Sequence, residues 1–144
     1  MTDIQYCEQT PDRDAYFALF ETTGWNAKYQ ATTDDLAAAI GNSWYHLSAY
    51  DGDVLVGFGR IVCDGVLHAV IFDLIVHPSH QRRGIGSEIL TRLLTVCSES
   101  GIPDIQLFAA RGKATFYEKH GFRPRPNNTP GMELSSIVGP SEDG

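Results

Sequence analysis

The sequence predicts a mixed α/β fold: one mixed, mostly antiparallel sheet of six to seven strands with helices on both faces. Three observations carry that prediction. Two Asp-Gly pairs, Asp51-Gly52 and Asp64-Gly65, punctuate β-rich runs between residues 44 and 76, the pattern of an antiparallel meander. An amphipathic stretch follows over residues 81–99, with Ile85, Ile89, Leu93, Val96 and Cys97 at three- and four-residue steps. Another β-rich run, DIQLFAA, comes next, so strand, helix and strand form a right-handed crossover that pairs its strands in parallel.

Each element can be justified in order. DIQYCEQ reads as a first strand. Thr10-Pro11-Asp12 opens a helix through Ala15, Leu19 and Phe20, with Pro11 or Asp12 in the first turn, and Gly24 stops it. Thr33 and Asp34 cap a second helix, DLAAAI, ended by Gly41-Asn42. The meander follows, and Pro78 ends its third strand, AVIFDLIV. Gly101 and Pro103 stop the long helix. KATFYEKH is a short helix closed by Gly121. FRPRP and GMELSSIV read as terminal strands, and residues 139–144 as a frayed tail.

Bulk properties bound the function. The 144 residues suit one domain spanning 1–144, and the 42% hydrophobic fraction is enough for a core. No apolar run approaches the ~20 residues of a membrane span, and the N-terminus lacks signal-peptide regions. Cys7, Cys63 and Cys97 form neither a CxxC nor a metal-ligand pattern, which points to a reducing cytoplasm and no metal. The net charge of -7 argues against a nucleic-acid partner and suits a cationic substrate.

Against that acidic background, HQRRGIGSEI sets two arginines and two glycines where the long helix begins. The first N–H groups of a helix lack partners within it, and the helix dipole adds positive charge there. Gly84 and Gly86 let an anion approach the backbone, and Arg82 and Arg83 add charge-assisted hydrogen bonds. The pattern calls for a phosphate or pyrophosphate. It is no Walker loop, lacking Gly-Lys-Ser/Thr, and no dinucleotide fingerprint, since Ile89 stands where the third glycine belongs.

VHPSHQRRGIGSEIL resembles the acetyl-CoA-binding motif of the GNAT acetyltransferase superfamily, Gln/Arg-x-x-Gly-x-Gly/Ala, with Gln81, Gly84 and Gly86 in its fixed positions. FYEKHGF at 116–122 is similar to the family's second signature, and the element order agrees from about residue 4 to 134. The resemblance implies transfer of an acetyl group from acetyl-CoA to an amine. It implies splayed parallel strands that admit the pantetheine arm against the backbone of Leu74, Ile75 and Val76. Diphosphate contacts fall to Arg82, Arg83, Gly84, Ile85, Gly86 and Ser87, with Gln81 and Phe116 as further cofactor contacts. Tyr117 matches the tyrosine that donates to the CoA sulfur. Ala110 stands where many relatives carry asparagine. The fold commonly dimerises, so a homodimer is an open expectation.

The chemistry needs a neutral amine, and deprotonating a lysine-like amine at neutral pH costs roughly 4–5 kcal/mol. Asp73, the one charged residue in the run from Ala69 to Val76, is either a general base, an anchor for the substrate ammonium, or the cross-strand ion-pair partner of Arg60. His77 reads as structural. In this family the acceptor pocket is built by the first two helices, their connection and the late hairpin. Trp25 and Tyr29 in the connection are therefore candidate contacts for a small-molecule amine. A protein-lysine or N-terminal acetyltransferase, and a non-catalytic acyl-CoA sensor, are the competing readings.

Overall fold

The structure, a computed structural model, describes residues 3–134. The chain divides into two compact units, the first ending at Leu107 and the second beginning at Phe108. The first unit holds β1 (Ile4–Cys7), α1 (Arg13–Glu21), α2 (Asn26–Tyr29), α3 (Thr33–Gly41), β2 (Tyr45–Asp51), β3 (Val54–Cys63) and β4 (His68–Val76). A 3-10 turn (Pro78–His80), α4 (Ile85–Glu99) and β5 (Asp104–Leu107) complete it. The second unit holds α5 (Ala114–Glu118).

The sheet runs β1-β2-β3-β4-β5, antiparallel through β4 and parallel between β4 and β5. The expected meander and crossover are both present. Among the described residues the sheet has five strands, not six or seven. FRPRP is irregular rather than a strand, because Pro124 and Pro126 have no N–H to give a ladder. Residues 131–134 are likewise irregular, and the remainder of GMELSSIV and the 139–144 tail lie outside the described residues.

Capping residues set the helix starts. Asp12 caps α1 from just outside its first turn by accepting from Ala15 N. The cap of α3 is Thr32, not Thr33 or Asp34. Thr32 and Asp35 exchange hydrogen bonds in a capping box, which satisfies two N–H groups at once. The β2–β3 turn centres on Gly52-Asp53, since Asp51 pairs with Val54. Gly52 has φ 61°, the first position of a type II′ turn. At the next turn Asp64 accepts from the N–H groups of Val66, Leu67 and His68.

Helices cover both faces of the sheet. On one, Tyr16, Leu19 and Phe20 of α1 and Leu36 and Ile40 of α3 bury against Leu55, Phe58 and Ile75. On the other, α4 buries Ile85, Ile89, Leu90, Leu93 and Cys97. β3 allows this close approach through Gly57 and Gly59. A Cβ at Gly59 would stand 2.9 Å from Ile89 Cγ2 and 3.1 Å from Leu93 Cδ1. Phe58, between them, faces α1 with its ring centroid 4.6 Å from that of Tyr16.

Candidate active site

The end of β4 and the start of α4 form the centre of the site. The β4–β5 ladder stops at Ile71↔Leu107, while β4 continues through residues 72–76. Over those residues its other edge still pairs with β3, at Phe58↔Ile75 and Gly57↔Val76. A β-bulge interrupts that pairing between Phe58 and Arg60, where β4 carries one extra residue. Asp73 lies within the bulge at φ 55°, a left-handed conformation that aspartate tolerates better than most side chains.

The bulge brings two consecutive side chains to one guanidinium. In a regular strand Phe72 and Asp73 would point to opposite faces. Here Arg60 Nε donates to Asp73 Oδ2 at 2.7 Å, and the Arg60 guanidinium lies 5.5 Å from the Phe72 ring centroid. Arg60 Nη1 also donates to Ala39 O at 3.4 Å and Ser43 Oγ at 3.3 Å, tying the bulge to the end of α3. Of the roles left open for Asp73, the cross-strand ion pair with Arg60 is present, although the strict register partner of Arg60 is Phe72. Burial, and next the Asp73 carboxylate, push the Tyr16 hydroxyl well above the usual tyrosine range, with Arg60 opposing. Tyr16 is a member of this cluster that nothing in the sequence had singled out.

Among the proposed cofactor contacts, Ile75 is 3% exposed and packs into the α1 core, so only its backbone is available. Leu74 points toward α4, with its Cδ1 3.2 Å from where a Gly59 Cβ would stand. His77 N donates to Val56 O at 2.7 Å as the chain leaves β4. Gln81, read as part of the motif, donates from Nε2 to Val76 O at 3.0 Å and folds the turn back onto the strand end.

The glycine turn is left-handed at two positions, Arg82 and Gly84. α4 begins at Ile85, later than the expected 81, because residues 81–84 form the turn. Gly84 is its N-cap at φ 82° and brings no side chain of its own to cap the helix. The first helical amide bonded back in the α pattern is Glu88 N, to Gly84 O at 3.0 Å. Arg82 is itself at φ 65°, which costs a side-chain-bearing residue about 1 kcal/mol or more. Arg82, Arg83 and Gly84 are exposed, Gly86 and Ser87 half-buried, and Ile85 is core at 2% exposure.

The connection between α1 and α3 is pinned. Asn26 donates from Nδ2 to Ala31 O at 3.0 Å and accepts from Ala31 N at 2.8 Å. The connection also forms α2, a single-turn helix absent from the sequence reading. Trp25 packs edge-on against Phe20 with ring centroids 5.9 Å apart, while Tyr29 is 63% exposed. A cleft of about 350 Å³ beside Glu8, Ile40, Trp44, Tyr45 and His46, at the start of β2, holds none of the nominated residues.

In the second unit, Tyr117 lies on α5, with its ring centroid 5.1 Å from Phe116 and 6.1 Å from Phe122. Phe122 N donates to Tyr117 O at 3.2 Å and closes the helix. Burial pushes the Tyr117 hydroxyl up, so it stays protonated at neutral pH. Among the described residues, no cluster of His, Cys, Asp and Glu could hold a metal ion, and no helix is long and apolar enough to cross a membrane.

Known proteins share this arrangement. The model of the acetyltransferase (GNAT) domain family matches residues 42–124. An uncharacterized ycf52-like N-acetyltransferase of Prochlorococcus marinus is 30% identical over 112 residues, covering 75% of this chain and 61% of its own. A histone acetyltransferase, TAP1, of Glycine max is 29% identical over 126 residues, covering 80% of this chain and 53% of its own. The chloroplastic serotonin N-acetyltransferase 2 of Oryza sativa is 36% identical over 77 residues, covering 54% of this chain and 38% of its own. The chain thus spans about half the length of these curated relatives. Among solved structures, a GNAT family acetyltransferase of Streptococcus pneumoniae is 31% identical, with a TM-score of 0.76 over 93% of this chain and 97% of that one.

Proposed function

The chain belongs to the GNAT acetyltransferase family, and from that premise we propose that it moves an acetyl group from acetyl-CoA to the primary amine of a small molecule. One observation carries the cofactor half of this reading. The part of β4 beyond its ladder with β5 leads through a short turn into a helix start whose N-cap is a glycine in the left-handed conformation. A pantetheine amide can pair along such an edge while a diphosphate takes the turn. Arg82 and Arg83 add charge to the diphosphate half.

In the proposed reaction the neutral amine nitrogen attacks the thioester carbonyl, and the C–S bond breaks as the C–N bond forms. A backbone N–H near Leu74 to Val76 stabilises the oxyanion, the thiolate takes its proton from the Tyr117 hydroxyl, the amine loses its proton to solvent, and solvent returns one to Tyr117. Asp73 shares an oxygen with Arg60, so we assign it to holding the bulge and anchoring the acceptor ammonium rather than to abstracting its proton. The aromatic acceptor named in the rice relative agrees with Trp25 and Tyr29 as acceptor contacts. The soybean relative's name favours a second reading, a protein-lysine acceptor. We place the enzyme in the cytoplasm, in keeping with the free thiols of Cys7, Cys63 and Cys97.

Thiol release from acetyl-CoA, followed across polyamines, arylalkylamines, amino acids, amino sugars and lysine peptides, tests the reading. Amine-dependent release from one small-molecule class is the expected result, with Tyr117→Phe slowed about 100-fold in kcat. Release with lysine peptides alone transfers the assignment to a protein acceptor. Full turnover by Tyr117→Phe removes its acid role, and tight acetyl-CoA binding without release from any acceptor makes the protein a sensor.

A further inference from the structure

We propose that Asp51, at the end of β2, positions the glycine turn through His80 and Ser79 and thereby sets the affinity for the diphosphate of the cofactor. The proposal rests on reading that turn as the diphosphate site.

A chain of side chains crosses from the β2–β3 hairpin to the segment that enters the turn. His80 Nε2 lies 2.8 Å from Asp51 Oδ2, across 29 residues of sequence. His80 Nδ1 lies 2.7 Å from Ser79 Oγ, which lies 2.8 Å from His77 Nδ1. The central link is the sheltered one, with the side chains of His80 and Asp51 only 16% and 24% exposed. The two ends of the segment are held by β-strand carbonyls, His77 N on Val56 O and Gln81 Nε2 on Val76 O. His80 lies between those anchors and just before Arg82, whose left-handed backbone needs external support. Asp51 supplies that support from a different element.

Two of these hydrogen bonds have a direction set by their partners. Ser79 N donates to His77 Nδ1 at 3.1 Å, so that nitrogen carries no hydrogen. The Ser79 hydroxyl lies against the same nitrogen and against His80 Nδ1. His80 donates from its other ring nitrogen to Asp51. A hydrogen bond to a carboxylate is stronger than one between neutral groups, so this link is the strongest of the chain.

A truncated ligand separates positioning of the turn from a general effect on the fold. Dissociation constants for CoA and for pantetheine, which lacks the diphosphate, are measured by calorimetry for wild type, Asp51→Ala and Asp51→Asn. CoA binding is expected to weaken about tenfold in Asp51→Ala, with pantetheine unchanged. Asp51→Asn, which keeps an acceptor oxygen for His80, is expected to recover most of the loss. Unchanged CoA affinity in Asp51→Ala overturns the proposal, and so does equal weakening of both ligands. Wild type that binds pantetheine as tightly as CoA instead overturns the diphosphate reading of the turn, a failure visible before any variant is made.

Discussion

Arg60 joins more of the molecule than any other single side chain described above. It is the cation paired with Asp73 in a half-buried setting, and it also meets Phe72, Ser43 and the α3 carbonyl of Ala39. Removing it strands a carboxylate, whereas removing both charges strands nothing. Arg60→Met is therefore expected to cost about 2 kcal/mol of stability, and Arg60→Met/Asp73→Asn to cost less than the single change. Asparagine is the right replacement because it tolerates the left-handed backbone at φ 55°, so the comparison reads charge and not strain. Urea unfolding of the three proteins checks this, and a double variant less stable than Arg60→Met would contradict it. The pair itself was legible in the sequence, since Asp73 was the lone charge in an apolar run. The bulge was not, because no residue type announces an extra residue in one strand. Asp51 and His80 are 29 positions apart on unrelated elements, so no periodicity could have joined them.

At the scale of elements, the GFG at 57–59 decides where α4 lies. The two glycines open a groove into which Ile85, Ile89 and Leu93 fit, and the helix brings the glycine turn at its start with it. A methyl at 59 meets three branched side chains within 3.2 Å at its own strand's face. Gly59→Ala is expected to destabilise by about 1–3 kcal/mol and to weaken CoA binding as α4 shifts. Urea unfolding beside CoA titration measures both, and a variant as stable as wild type would show that α4 yields without cost. This packing role was missed because glycine was weighed only as a turn residue. The long helix and both hairpins were legible, since their signals are local: three- and four-residue apolar steps and Asp-Gly pairs. α2 has neither a capping side chain nor length, and FRPRP has β-branching nowhere and a proline at every second position after Arg123, so its reading as a strand had weak physical support.

For the molecule as a whole, burial has a consequence at alkaline pH. Tyr6, Tyr16, Tyr45, Tyr50 and Tyr117 are all pushed above the ordinary value of 10.0, with burial the largest cause for each. The folded chain holds these protons more tightly than the unfolded one. Their contribution to stability is complete below pH 10 and is lost as pH rises above it, where the unfolded tyrosines ionise first. Urea midpoints are expected to fall between pH 9 and pH 11 by more than the same scan shows for Tyr16→Phe. Equal slopes would mean that Tyr16 ionises as freely folded as unfolded.

The strand order β1-β2-β3-β4-β5 also repeats the order in which a ribosome delivers the strands. Each arriving strand after the first finds its predecessor waiting and never has to be inserted between two already joined. The sheet can thus grow at one edge during synthesis, with two long detours, α1–α3 before β2 docks and the α4 crossover before β5 docks.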